Sequence, residues 1–151
     1  MYATRWPDGL PVAQVRIARP TDRLDDVVSF YRDGLGLPVL TSFTDHAGFD
    51  GVMIGLPGLD YHLEFTHHRA GSPGDAPSPD NLLVLYVPDE TSIRTRTNRL
   101  QSMGYTTVPS ENPYWDDNGA VTIEDPDGWR VVLMPTSGIQ GRYGRANQDC
   151  G

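Results

Sequence analysis

Cysteine is almost absent from this chain. The one cysteine, Cys150, lies in the C-terminal tail, so no internal disulfide can form and no Cys-x-x-Cys metal or redox motif exists. Long apolar runs are missing too. The longest strongly apolar stretch, Leu82 to Val87, is far short of the roughly 20 residues that span a bilayer. Met1 to Pro7 has no apolar run of the kind that opens a signal peptide. Basic charge is in deficit: 12 Lys and Arg face 20 Asp and Glu, for a net charge of −8. That balance argues against nucleic acid and anionic membrane as partners and would suit a cationic ligand. The sequence also lacks a Gly-x-Ser-x-Gly elbow, a phosphate-binding Gly-x-x-x-x-Gly-Lys loop and a His-Glu-x-x-His motif. Gly34-Leu-Gly36 has no third glycine at nucleotide-loop spacing and is a helix stop. The expectation is a cytoplasmic protein.

What the chain does contain is a doubling. An offset of 68 residues carries Pro20 onto Pro88, Gly36 onto Gly104, Gly51 onto Gly119, Tyr61 onto Trp129, Leu63 onto Val131 and Phe65 onto Leu133. Two copies of one unit facing each other are implied, with a cleft between them as a natural place for a small molecule. A chain of 151 residues is long enough for one compact domain that buries roughly 70% of its unfolded surface.

Within the first copy, spanning 12–68, residues 12–19 alternate as a strand. Leu24, Val27, Val28, Tyr31 and Leu35 then fall at helical spacing, ended by Gly34 and Gly36. Strands are expected at 37–44, 51–56 and 61–67, with turn residues between the last two. Residues 69–81, rich in Gly, Ser and Pro, read as a linker. The second copy, 82–135, repeats the order: strand 82–87, polar helix 89–103, and strands at 105–109, 119–124 and 129–134. Asp125-Pro-Asp-Gly128 could pass for an acidic metal cluster, but its spacing suits a β-hairpin turn. Residues 136–151 read as an irregular tail.

Three stretches carry a family likeness: Val27-Val-Ser-Phe-Tyr-Arg-Asp-Gly-Leu-Gly-Leu37, His62-Leu-Glu-Phe65 and Glu124-Asp-Pro-Asp-Gly-Trp-Arg-Val-Val-Leu133. On these the chain resembles the vicinal oxygen chelate superfamily, which includes glyoxalase I, extradiol dioxygenases and bleomycin-resistance proteins. The resemblance implies an α+β fold of two paired βαβββ modules closing into a cupped, partly open mixed β barrel. It also implies a homodimer, since many members dimerise.

In the family's metalloenzymes a divalent metal sits in the cup, held from the first and last strands of each module. By that resemblance the positions here are Gln14, or Arg16 if the strand slips by two, then Glu64, Leu82 and Val132. A leucine and a valine offer no lone pair, and two remaining donors are fewer than the three or four that a divalent metal needs. The resemblance thus supplies the fold without the usual metal chemistry. A relocated metal site from His46, His62 and Glu64 is the alternative, because His62 and Glu64 share one strand face.

For Glu64, an ion pair with Arg16 or Arg130, contact with a basic ligand group, and a role as general base all remain open. Tyr86, Tyr114 and Trp115, with Phe43 and Phe49, are placed near the cup mouth, where rings could stack on a flat ligand or close the barrel. The leading expectation is a metal-free protein that encloses an aromatic or cationic small molecule, with Gln14, Arg16, His62, Glu64, Tyr86, Tyr114, Trp115 and Arg130 as contacts. The alternative is a lyase, isomerase or dioxygenase that uses the relocated metal, or Glu64 as a metal-free base.

Overall fold

The computed structural model describes residues 9–139, so the N-terminal reading over Met1–Pro7, most of the tail and Cys150 lie outside the described residues. Residues Val15–Pro20 form β1, and Leu24–Ser29 form α1, which continues through a wider π-helical turn over Phe30–Gly34. Then come β2 (Val39–His46), β3 (Phe49–Gly55) and β4 (Tyr61–His68). The second module holds β5 (Leu82–Tyr86), α2 (Glu90–Ser102), β6 (Thr107–Val108), α3 (Pro113–Asp117), β7 (Val121–Glu124) and β8 (Arg130–Met134). Each module makes one mixed four-stranded sheet, ordered β1-β4-β3-β2 and β5-β8-β7-β6, with β1 parallel to β4 and β5 parallel to β8. The fold is α+β with two open sheets.

One face of each sheet is covered by helix. Val27, Val28, Phe30 and Tyr31 pack with Ile54, Leu63 and Phe65, and the same buried cluster takes in Ile93 and Leu100 of α2 and Ile123, Val131 and Leu133 of the second sheet. Both helices therefore lie over the same core, and the two modules share it. Because strand residues alternate between faces, Arg16, Ala18, Met53, His62 and Glu64 belong to the sheet face turned away from α1.

The structure shortens several strands. Residues 12–14 have no partner, because β4 begins at Tyr61 opposite Val15. Tyr105 turns back to α2, its N–H bonding the Leu100 carbonyl and its ring meeting Phe30 edge-on at 4.9 Å, so β6 starts only at Thr107. The stretch between the strands expected at 105–109 and 119–124 contains α3. Asn112 caps it by accepting from the Tyr114 N–H (3.0 Å), and Pro113 fills the first helical position, where a missing N–H costs nothing. Ala120 still bonds back to Trp115, which delays β7 to Val121.

Asp125-Pro-Asp-Gly128 is the β7–β8 hairpin turn. Asp125 Oδ1 accepts the backbone N–H of Asp127 (2.9 Å) and of Trp129 (3.0 Å). Its Oδ2 accepts from the Tyr31 hydroxyl (2.7 Å) and from Arg19 (2.9 Å). The Arg19 guanidinium lies between Phe65 and Trp129, at 5.1 and 4.5 Å from the ring centres. β1, α1 and the second module's turn are thus tied by one buried polar cluster.

Burial and the neighbouring Asp125 carboxylate raise the Tyr31 pKa well above its ordinary value of 10. The neutral phenol is favoured in the fold, so the unfolded chain loses this proton first as pH rises. Stability from this group is complete below pH 10 and is lost above it, by up to about 1.4 kcal/mol per pH unit. Urea titrations between pH 9 and 11 should show this decline, and Tyr31→Phe should flatten it. An unchanged slope in that variant would remove Tyr31 as the cause.

The linker at 69–81 crosses the junction in contact with both modules. Ser72 is buried, donating its N–H to Asp22 and accepting the His68 N–H (2.7 Å). The Gly74 carbonyl accepts from Trp129 Nε1 (2.7 Å), and Ala76 bonds to Asp127. A Cβ on Gly74 would stand 1.9 Å from the Pro20 carbonyl oxygen, which backbone cannot yield. Gly74→Ala should therefore lift the linker and cost about 1–3 kcal/mol in urea unfolding.

Candidate functional site

Two places concentrate chemistry. The first is the helix-free face of β1 and β4. Arg16 pairs there with Glu64 (Nη1 to Oε2, 2.9 Å), and its Nε donates to His62 Nε2 (2.9 Å). Since Nε2 accepts, the proton of this neutral imidazole sits on Nδ1. His62 is 6% exposed, and its Nδ1 meets no partner among the described residues. Ala18 and Met53 flank Glu64 in register. The carboxylate is part-buried and already matched by a guanidinium.

The family's metal does not fit these residues. Arg16 aligns with His62, and Leu82 aligns with Arg130, the residue 68 positions after His62. Arg16, not Gln14, is therefore the first-strand counterpart of Leu82. A slip of two residues preserves the strand face, so the offset that matches the last strands misplaces the first strand without reversing it. Gln14 precedes β1 and is exposed. The donor set becomes Arg16, Glu64, Leu82 and Val132, and Val132 stands beside Val84. A guanidinium holds the carboxylate where a cation would, and the second module contributes only hydrocarbon.

The relocated trio also fails. His62 lies opposite Gly55, while His46 lies opposite Phe49 at the other end of β3, roughly 20 Å away along the sheet. Among the described residues no group of three or more His, Cys, Asp or Glu is placed to hold a metal ion. His67 and His68 have local partners in the Thr21 carbonyl and the Ala70 N–H.

The remaining expected contacts do not converge on Glu64. Arg130 turns to Glu124 Oε1 (3.1 and 3.2 Å) and to the Pro109 carbonyl (3.1 Å). Tyr114 and Trp115 meet edge-on at 5.0 Å on α3, with Tyr114 exposed. Phe43 packs over Gly51 between β2 and β3, and Phe49 meets the His68 ring at 4.5 Å between β3 and β4.

The second place is a cavity of about 590 Å³ between the modules. Leu35 and Leu37 enter it from the exit of α1, Leu56 and Leu59 from the β3–β4 turn, and Tyr61 from β4. The second module supplies both faces of β5, including Val84 and Tyr86, together with Ile93 and Arg96 of α2 and Leu133 of β8. Its volume lies within the roughly 300–1,000 Å³ of small-molecule sites. Tyr86 is the only expected contact that lines it, and Arg96 is the only charged residue in its lining among the described residues.

Sequence reasoning missed Arg96, although a signal existed. Ile93 and Leu100 are the buried residues of α2, and Arg96, three residues after Ile93, falls on the same side of the helix. Arg19 carries the same kind of signal: it alternates with Val15 and Ile17 on β1, a charge in an apolar series.

Comparison with known proteins places this geometry in a family. The profile of the YycE-like N-terminal domain matches residues 15–66, and that of the YycE-like C-terminal domain matches 80–135. YycE of Bacillus subtilis, an uncharacterized protein, is 55% identical over 130 residues, covering 86% of this chain and 93% of that one. The crystal structure of Bacillus subtilis YycE, described as a protein of unknown function and a candidate glyoxalase/fosfomycin resistance protein, has a TM-score of 0.85 at 51% identity. It covers 91% of this chain and all of its own. Two more distant structures share the fold. Leishmania major glyoxalase I has a TM-score of 0.62 at 17% identity over 79% of this chain and 83% of its own. TnmS3, an antibiotic binding protein from Streptomyces sp. CB03234, has a TM-score of 0.59 at 19% identity over 83% and 97%. The chain belongs to the YycE-like family and has the glyoxalase/bleomycin-resistance fold of the vicinal oxygen chelate superfamily.

Proposed function

We propose that this protein binds a small, largely apolar molecule in the cavity between its two modules, as a sequestering or carrier protein. The observation that carries this reading is the cavity itself. It has the volume of a ligand site, a predominantly hydrocarbon wall and contributions from both modules. The donor set at the family's metal positions supports a role without that metal, since Val132 and Leu82 cannot ligate and Arg16 is bound to Glu64. TnmS3, which shares the fold, is an antibiotic binding protein. A titration with the neutral fluorescent probe N-phenyl-1-naphthylamine tests the reading. One saturable site per cavity is expected, and its absence would end the proposal.

A second reading makes Glu64 a general base. It rests on His62, which shares a strand face with Glu64 and whose buried Nδ1, unpartnered among the described residues, could orient a substrate. Against it, Arg16 is already ion-paired with this carboxylate at Oε2. This reading requires turnover that disappears in Glu64→Gln.

A further inference from the structure

We infer that the ligand class of the inter-module cavity is an amphipathic anion: an apolar chain or ring system ending in one carboxylate or similar acid, with the acid at Arg96. This rests on the cavity-binding reading above and specifies its chemistry.

Three observations converge on Arg96. First, among the described residues it is the only charged one that lines the cavity, and no acidic one opposes it there. Second, its guanidinium has no partner among the described residues. Arg16, Arg19, Arg23, Arg32, Arg69 and Arg130 are in ion pairs, and Arg94 and Arg99 donate to oxygen atoms of neighbouring residues. Arg96 alone of the arginines among the described residues has neither an ion pair nor a side-chain hydrogen bond. In a chain with an excess of eight acids over bases, leaving one arginine unmatched at an apolar cavity is a selective placement. Third, the backbone makes room for it. A Cβ on Gly36 would come within 2.8–2.9 Å of the guanidinium carbon and both terminal nitrogens. Gly36 lies between Leu35 and Leu37, both of which line the cavity, so the guanidinium rests against the turn that carries the wall.

The arrangement sets a direction for the ligand. Ile93 and Leu133 are buried and form the floor, whereas Arg96 is exposed at the mouth. An apolar tail gains by leaving water at the floor, and an acid at the mouth can form a bidentate pair with the guanidinium while staying partly hydrated. A cationic head would meet Arg96 with like charge. The proposed ligand thus differs in charge from the cationic one suggested by the net charge, because the local wall and not the overall charge meets the ligand.

The test uses decanoic acid, decanol and decylamine below their aggregation limits, each displacing N-phenyl-1-naphthylamine from the protein at pH 7.5. Decanoate should bind at least about tenfold more tightly than decanol, which is about 1.4 kcal/mol, and decylamine more weakly than both. In Arg96→Gln the advantage of decanoate over decanol, each measured in that variant, should disappear. Arg96→Lys should retain part of the preference, since an ammonium keeps the charge without the bidentate fork. Equal binding of acid and alcohol, or a preference that survives Arg96→Gln, would overturn the anionic class and leave the cavity reading intact. Failure of the probe itself to bind would overturn both.

Discussion

Asp125→Ala should destabilise this protein by about 3–5 kcal/mol, the cost of breaking a buried ion pair from one side. The Asp125 side chain is wholly buried, and that of Arg19 is 17% exposed. Removing the carboxylate strands the guanidinium between Phe65 and Trp129, leaves the Tyr31 hydroxyl without its acceptor, and frees two turn N–H groups. For a chain of this size the loss corresponds to a fall in Tm of about 10 °C. Asp125→Asn should cost less, because the amide oxygen can still accept the two turn N–H groups. Differential scanning calorimetry of both variants checks the order. A loss below about 1 kcal/mol for Asp125→Ala would show that the junction does not depend on this cluster. The double variant Arg19→Met/Asp125→Leu should recover part of the loss, since hydrocarbon relieves the stranded guanidinium but leaves the two turn N–H groups and the Tyr31 hydroxyl without their acceptor.

The second large effect concerns ligand. Val84→Trp places an indole from β5 into the inter-module cavity and should weaken N-phenyl-1-naphthylamine by at least about a hundredfold, or about 2.8 kcal/mol. Val84 is part-exposed on an edge strand, so the substitution fills the cavity and leaves the shared core intact. Glu64→Gln, on the far face of the other sheet, should leave probe binding unchanged. The pair of variants separates the two functional readings. If Val84→Trp binds normally with an unaltered circular dichroism spectrum, the probe sits elsewhere. If Glu64→Gln abolishes binding, the face bearing Arg16 and His62 is the site.

Much of the fold could be read before any coordinates. The alternation of β4, the helical spacing of Leu24 to Tyr31 and the Asp-Pro-Asp-Gly turn are local signals, and each became the element expected. Strand ends were less legible because pairing partners set them: residues 12–14 have strand-like residues but no neighbour to bond. α3 was written in Asn112-Pro113, a cap followed by a proline at the first helical position. His46 could be grouped with His62 only while the β2–β3 register was unknown.

The sequence by itself determined the doubled βαβββ plan, the apolar character of Leu82 and Val132, and the placing of His62 with Glu64 on one strand face. These follow from residue type and from a strand period of two, and neither depends on distant contacts. Tertiary structure decided which arginine meets which acid, moving Arg16 rather than Arg130 onto Glu64 and burying Arg19 against Asp125. It also decided where the open space lies. A cavity is what packing leaves unfilled between Leu35, Tyr61, Val84 and Ile93, residues far apart in the chain, and only the docking of the two modules brings those walls together.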